Sequence, residues 1–249
     1  MSAKEEARSI EELESGDLAR FVMDMFHRTA MHYALWFREV EHQLGTENAM
    51  EIMDEVAQKS ISLQLNRMGT FFGFSVTEGV PDILSNMKAE KLVKLTEEAG
   101  KNWLANDGIW FQAVEKRYGM NDAKRCNDTC WTKFSPLEAW SISRFLDLGK
   151  NPGLEGLKRA LQFRMYAGIN IQSFDEEEKN SFVFRMNNCR VQAARKRKGM
   201  DDYPCKSAGL VEYTTFASSI DKRIKTECIG CPPDSHPDEW FCSWKFYVD

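Results

Sequence analysis

The sequence predicts a mainly α-helical protein with a C-terminal α+β domain. Its helical part reads as a duplicated hairpin, four-helix-bundle-like, and its last quarter as a small antiparallel sheet of about three strands. Three observations predict this. Apolar residues recur at helical spacing from Leu18 to Leu44. The same plan restarts 74 positions later without a gap: Leu18, Trp36, Phe37, Val40, Glu41, Gly45, Ala49 and Asp54 reappear as Leu92, Trp110, Phe111, Val114, Glu115, Gly119, Ala123 and Asp128. Beyond Ser181 the texture changes to the two-residue alternation of strands.

The elements follow in order. Residues 1–17 form an acidic leader, read as flexible. At about 100° per residue, Leu18, Val22, Met25, Phe26, Tyr33, Trp36, Phe37, Val40 and Leu44 share one stripe, while Asp24, Arg28, Arg38 and His42 fall outside it. That is an amphipathic helix with Trp36, Phe37 and Val40 as core residues, closed by Gly45. A second helix follows, from about Glu47 to Met68. Gly69–Leu84, punctuated by glycine and proline, links the copies. In the second copy Ser135 and Pro136 read as the N-cap and first position of a new helix. A helix is expected over "LEGLKRALQFRMYAGINIQS", an acidic turn at "FDEEEKN", and strands at "SFVFRMNNC", "RIKTECIG" and "EWFCSWKFYV". Between the strands lie a basic helix, "RVQAARKRKG", and a second, "SAGLVEYTTFASSI". The division is therefore a leader at 1–17, a hairpin domain at 18–150 and a Cys-rich α+β domain at 151–249.

Composition narrows the function. The 249 residues are 43% apolar and 29% charged, with a net charge of −5. An acidic chain does not carry the footprint of a general nucleic-acid binder. No apolar run reaches the ~20 residues of a membrane helix, and the acidic start lacks a signal core, so a cytoplasmic protein is expected. Association of identical copies is left open. Seven cysteines in such a chain point to metal binding, thiol chemistry or burial rather than disulfides. No Ser-His-Asp set, P-loop or dinucleotide fingerprint is present.

Several residues are candidates for chemistry. Glu41 and Glu115 edge the repeated apolar stripe, but neither begins the Glu-x-x-His of a bundle metal site. His32 and Trp36 in the first copy, with Asn106, Asp107, Trp110 and Glu115 in the second, are candidate lining of a ligand pocket; the alternative is a polar patch where helices pack. The strongest cluster is sulfur. Cys228 and Cys231, in "CIGCPPD", have knuckle spacing, and Cys189 and Cys205 complete a four-thiolate set, with Cys242 or His236 as substitutes. Zinc, or less readily an iron–sulfur cluster, is the implied cofactor. Two other readings stay open: inert buried thiols, or a reactive thiol. In the last, Cys205 is favoured because it opens a helix beside Lys206. Arg190, Arg195 and Lys198, joined by Arg223 and Lys225, form an edge suited to a small anionic molecule.

"NWLANDGIWFQAVE", "CRVQAARKRKG", "YPCKSAGLVEY" and "RIKTECIGCPPD", ending in "FCSWKF", resemble an uncharacterised family of cytosolic proteins from anaerobic microbes. More distantly, the tail is similar to the L-2-amino-thiazoline-4-carboxylic acid hydrolase-like family. The matching positions are Cys189, Cys205, the strand Arg223–Thr226, and Cys242 with Phe246. The pattern departs after Cys205, where Lys206, Ser207 and Ala208 stand in place of an Asp. The resemblance implies a hydrolase in which Cys205, or a metal-bound water, attacks an amide or thiazoline-like ring carbon while Arg190 or Arg223 holds a carboxylate. The reading from another class is a non-catalytic sensor or accessory protein with structural zinc.

Overall fold

The structure, a computed structural model, describes residues 7–178 and 180–249. Part of the acidic leader (residues 1–6), and Lys179 in the expected acidic turn, lie outside the described residues. The chain divides into two compact units, 1–86 and 87–249. No helix among the described residues is long and apolar enough to cross a membrane.

The first unit is a helical hairpin, α1 (Ser15–Leu44) and α2 (Thr46–Phe72). A two-residue-strand hairpin, β1 (Val76–Thr77) with β2 (Val80–Pro81), and one turn of helix, α3 (Asp82–Ser85), follow it. The second unit begins with the same hairpin, α4 (Ala89–Tyr118) and α5 (Met120–Phe145). It continues through α6 (Gly153–Leu161) and a 3-10 turn, Ala167–Ile169. Then come β3 (Ile171–Glu178), β4 (Ser181–Asn188), α7 (Arg190–Arg197), α8 (Lys206–Ile220), β5 (Lys225–Gly230) and β6 (Cys242–Tyr247). The fold is mainly α with a C-terminal α+β part, as the periodicities require.

The repeated sequence encodes a corner. Gly45 and Gly119 take nearly the same backbone, φ 85 ψ 162 and φ 88 ψ 171, a region open essentially to glycine alone. Each glycine donates its N–H to the repeated glutamate, Glu41 or Glu115, at 3.0 and 2.8 Å. Each accepts from the repeated alanine, Ala49 or Ala123, which is buried. The aromatics of the repeat do not behave as expected. Trp36 and Trp110 are 62% and 63% exposed, not core, and Phe37, Val40, Phe111 and Val114 are only half-buried. A two-helix hairpin covers a narrow seam, and the apolar stripe is wider than that seam.

The main sheet is antiparallel with order β3-β4-β6-β5. It has four strands where about three were expected. The extra strand is β3, read in sequence as a helix end and acidic turn. It is an edge strand, and edges tolerate charge because charge blunts pairing with other chains. Its anchor is Phe174, whose ring lies 5.9 and 5.4 Å from Phe182 and Phe184. Asp175 pairs with Arg185. The expected long helix after Asn151 stops at Leu161, and α5 runs unbroken through Pro136 instead of restarting there. Ser135, Glu138, Ala139 and Ile142 are all buried, and that packing on either side offsets the ~3 kcal/mol cost of an internal proline.

The core lies where α5, α6 and α8 cover the sheet. Trp244, Phe182, Phe184, Phe216, Phe246, Leu157 and Leu161 are its largest fully buried side chains. Gly209 lets α8 sit close on β6: a Cβ there would fall 2.7 Å from the Trp244 ring. The far end of α8 is tied by Asp221. Its carboxylate accepts from the Arg223 N–H and Nε, both at 3.0 Å, the Arg223 Nη2 at 2.7 Å and the Gly153 N–H at 3.0 Å. Arg223, then burial against it, set the balance, and the Asp221 carboxyl is lowered to about 2. A depressed carboxyl stabilises the fold above its unfolded value and loses that contribution as pH falls. Asp221→Asn is therefore expected to cost about 2 kcal/mol at pH 7. In urea titrations the gap to the parent should narrow steadily from pH 4 towards pH 2.

Candidate functional site

The tail cysteines converge. Cys205 is the N-cap of α8, and the Lys206 N–H donates to Pro232 O at 2.8 Å, which brings the start of the helix against the Cys231 loop. The Cys231 side chain hydrogen-bonds with both Cys205 and Cys242. Cys189, the N-cap of α7, faces Cys205 and Cys242. Cys228, on β5, faces Cys242 and Lys206. None of the seven cysteines is in a disulfide. Among the described residues, no group of three or more His, Cys, Asp or Glu stands in an arrangement that would hold a metal ion.

The five sulfurs are not equivalent. Cys231 is buried, and its hydrogen bonds to Cys205 and Cys242, then burial, push its thiol far up. Burial pushes Cys189 up to about 12. Burial also raises Cys228, against the pull of Lys206. Cys205 moves the other way, down. The Cys231 hydrogen bond lowers it first; burial and Glu212 oppose, and Gln192 and Lys124 assist. Gln192, fully buried on α7, positions this sulfur. Its Nε2 donates to Cys205 Sγ at 2.9 Å and to Tyr203 O at 2.8 Å, while its Oε1 accepts the Tyr203 N–H at 2.8 Å. As a neutral thiol, Cys205 donates to Tyr203 O at 3.1 Å. Ionisation gives up that bond and keeps the two donors.

The second hairpin supplies the other wall. Lys124 Nζ donates to Pro204 O at 2.6 Å and lies 5.0 Å from the Tyr203 ring centre. Phe111 meets the same ring edge-on at 5.3 Å. Burial raises the Tyr203 phenol, and the charges of Cys205, Asp128, Asp107 and Glu115 add to it. Burial also raises Asp107. The opposite flank is held by His236, whose Nε2 meets Asp202 Oδ2 at 3.0 Å and whose Nδ1 meets Pro237 O at 2.8 Å. Burial works against its proton, and Pro237 O and Asp202 outweigh burial, so the imidazole is raised.

Beneath the thiols lies a buried ion network that sequence reasoning missed. Arg164 donates through Nε to Glu138 Oε2 at 2.9 Å and through Nη1 to Glu212 Oε1 at 2.6 Å, and also bonds Tyr166. The Tyr166 hydroxyl donates to Glu212 at 2.5 Å and lies 3.3 Å from the Tyr213 hydroxyl. Burial raises Glu212, against Arg164. Glu212 opposes ionisation of Cys205, and the charge of Cys242 helps raise Tyr213, so network and thiols are electrostatically linked along α8. Only charged residues inside apolar runs, "PLEAW" and "FRMY", hinted at it.

The sequence candidates thus sort by place. Cys231 contacts Cys205 and Cys242, Cys189 and Cys228 lie within electrostatic reach of that pair of contacts, and Asp107 and Glu115 act on Tyr203 through their charge. Arg195 is also near, donating Nε to Asp201 O at 2.7 Å. Arg190 is exposed beside Cys189. Arg223 lies at the other end of α8, about 20 Å of helix from Cys205, committed to Asp221. Asn106 and Trp110 are exposed on α4. His32 and Trp36 belong to the first unit, where their rings meet edge-on at 6.3 Å.

The chain belongs to DUF6125, a family of unknown function, which matches residues 85–248. No curated protein and no solved structure matches it. The matched segment contains every residue of the thiol cluster and of the ion network.

Proposed function

We propose that the protein is a thiol-dependent hydrolase of small amides or thiazoline-like rings bearing a carboxylate, with Cys205 as the nucleophile. The observation that carries this reading is the placement of Cys205 at the N-terminus of a 15-residue helix, with Gln192 and Cys231 donating to its sulfur. Helix position and donors both favour the thiolate. The likeness of the tail to aminothiazoline-carboxylate hydrolase-like proteins supports the substrate class.

The chemistry follows from that placement. The Cys205 sulfur adds to the electrophilic carbon. The first-turn amides of Ser207 and Ala208 lack intrahelical acceptors and take the developing negative charge. The Cys231 thiol supplies a proton to the leaving nitrogen. Water then cleaves the thioester, releasing the acid and restoring both thiols. Arg190 is the cation offered to a substrate carboxylate; Lys206 is paired with Asp234 at 2.7 Å, and Arg223 lies at the far end of α8, committed to Asp221.

p-Nitrophenyl acetate tests the nucleophile. The reduced protein is expected to release nitrophenolate in a burst and to carry one acetyl group on Cys205, read by peptide mapping. Cys205→Ser should lose the burst at least 100-fold, and a burst that survives in that variant overturns the reading. The alternative is a non-catalytic protein with structural zinc or an iron–sulfur cluster; it rests on the Cys228–Cys231 spacing in the sequence, since no three such side chains among the described residues stand in a metal-holding arrangement. Stoichiometric metal in protein purified without oxygen, with a Cys205 inert to acylation, would replace the first reading by the second.

A further inference from the structure

We propose that Cys205 and Cys231 are a redox pair that closes into a reversible disulfide when the protein meets a peroxide. This chemistry stands independently of any turnover at Cys205, since its product is the bond itself. The geometry rests on three features. The two thiols are in hydrogen-bonding contact. The backbone one residue beyond each is clamped by the 2.8 Å bond from the Lys206 N–H to Pro232 O. A disulfide requires Cα atoms within about 4.4–6.8 Å, and the clamp draws the two segments together one residue beyond each sulfur. Finally, Cys205 and Cys231 differ in access: Cys205 is half-buried, while Cys231 is 1% exposed.

That asymmetry sets the order of events. The Cys205 thiolate attacks one peroxide oxygen and expels hydroxide, which takes a proton to become water, leaving a sulfenic acid on Cys205. The Cys231 sulfur then attacks the sulfenic sulfur. Its proton leaves with the hydroxyl as a second water, and the S–S bond forms. Overall two thiols lose two electrons and two protons, and one peroxide becomes two waters. Cys231 is shielded from the bulk oxidant, so it resolves the sulfenic acid rather than being oxidised first. Cys242 also contacts Cys231, but it begins a strand rather than a helix and lacks the helix-end potential that favours a thiolate.

The test uses the full reduced chain, one equivalent of hydrogen peroxide, and quenching with iodoacetamide in denaturant. Thiol titration is expected to fall from seven to five, with a mass loss of two hydrogens. Fragmentation of the digest should link Cys205 to Cys231, and dithiothreitol should restore all thiols. Cys242→Ser should still form the bridge. Cys231→Ser should instead accumulate sulfenic acid on Cys205, trapped by dimedone. A bridge joining Cys231 to Cys242, a bridge between Cys126 and Cys130, or Cys205 driven to sulfinic acid in the parent without any bridge would each overturn the proposal. The parent mapping decides it even if a variant fails to fold. Loss of the acetylation burst with an intact bridge, or the reverse, separates this proposal from the hydrolase reading.

Discussion

Arg164→Met is expected to cost about 3–5 kcal/mol, a large share of the about 5–15 kcal/mol by which folded proteins are stable. The guanidinium is buried on every side. It is bonded to Glu138, Glu212 and Tyr166, and it lies 4.5 Å from the Phe216 ring centre and 5.8 Å from that of Trp131. Burial works against its charge, and Glu138, Tyr166 and Glu212 more than compensate, so its proton is held far above the ordinary range. Methionine fills a similar length but leaves two carboxylates facing each other with no cation. Glu212, already raised by burial, would take up a proton, and Glu138 would still need a partner for Oε2. Glu212→Gln is the control. It keeps an acceptor for Arg164 and Tyr166 and removes one buried negative charge, so it should cost well under half as much. Urea unfolding followed by circular dichroism measures both. A loss below about 1 kcal/mol in Arg164→Met would show that the network is dispensable.

The contrast between this network and the cysteines explains what the sequence could and could not disclose. The repeat was readable because a corner that needs glycine at an unusual φ/ψ admits few alternatives, and two copies of it align without a gap. The strand β5 was readable because it alternates, while β4, buried on both faces from Ser181 to Phe184, and β6 were readable as short apolar, aromatic-rich runs. β3 was not, because its β-signal rests on Phe174 amid acidic residues whose role is to protect an edge. The five cysteines of the last quarter drew attention because cysteine is rare, but their spacing did not disclose their geometry: Cys231 contacts Cys205 and Cys242, and no three such side chains among the described residues stand where they would hold a metal ion. Arg164, Glu138 and Glu212 are ordinary residue types far apart in the chain. Nothing local distinguishes them from solvated charges until tertiary packing brings them together. Trp36 and Trp110 show the opposite failure: their periodicity is that of a core, but a hairpin seam has room only for smaller partners such as Ala49 and Ala123.

Cys231→Ala is expected to raise the pH at which Cys205 becomes reactive. The Cys231 hydrogen bond is the largest influence drawing the Cys205 proton off, ahead of burial and Glu212, which oppose it, and of Gln192 and Lys124, which assist it. A hydrogen bond to a charged acceptor is worth about 1.5–3 kcal/mol, and one pH unit corresponds to about 1.4 kcal/mol. Removing the donor leaves burial and Glu212 opposed by Gln192, Lys124 and the helix end. The thiolate fraction at pH 7 should therefore fall, by up to about tenfold for each 1.4 kcal/mol lost, and the alkylation rate with it. Cys242→Ala makes the comparison specific, because it also removes a neighbour of Cys231 but no donor to Cys205. Its profile should stay within about half a unit of the parent, well short of the shift that one charged hydrogen bond supports. Iodoacetamide labelling of Cys205 across pH 5–10, read by peptide mass spectrometry, separates the two variants. Parallel shifts in both would mean that the cluster acts only as shared burial. A shift in Cys231→Ala alone would identify its thiol as the group that draws the Cys205 thiol down.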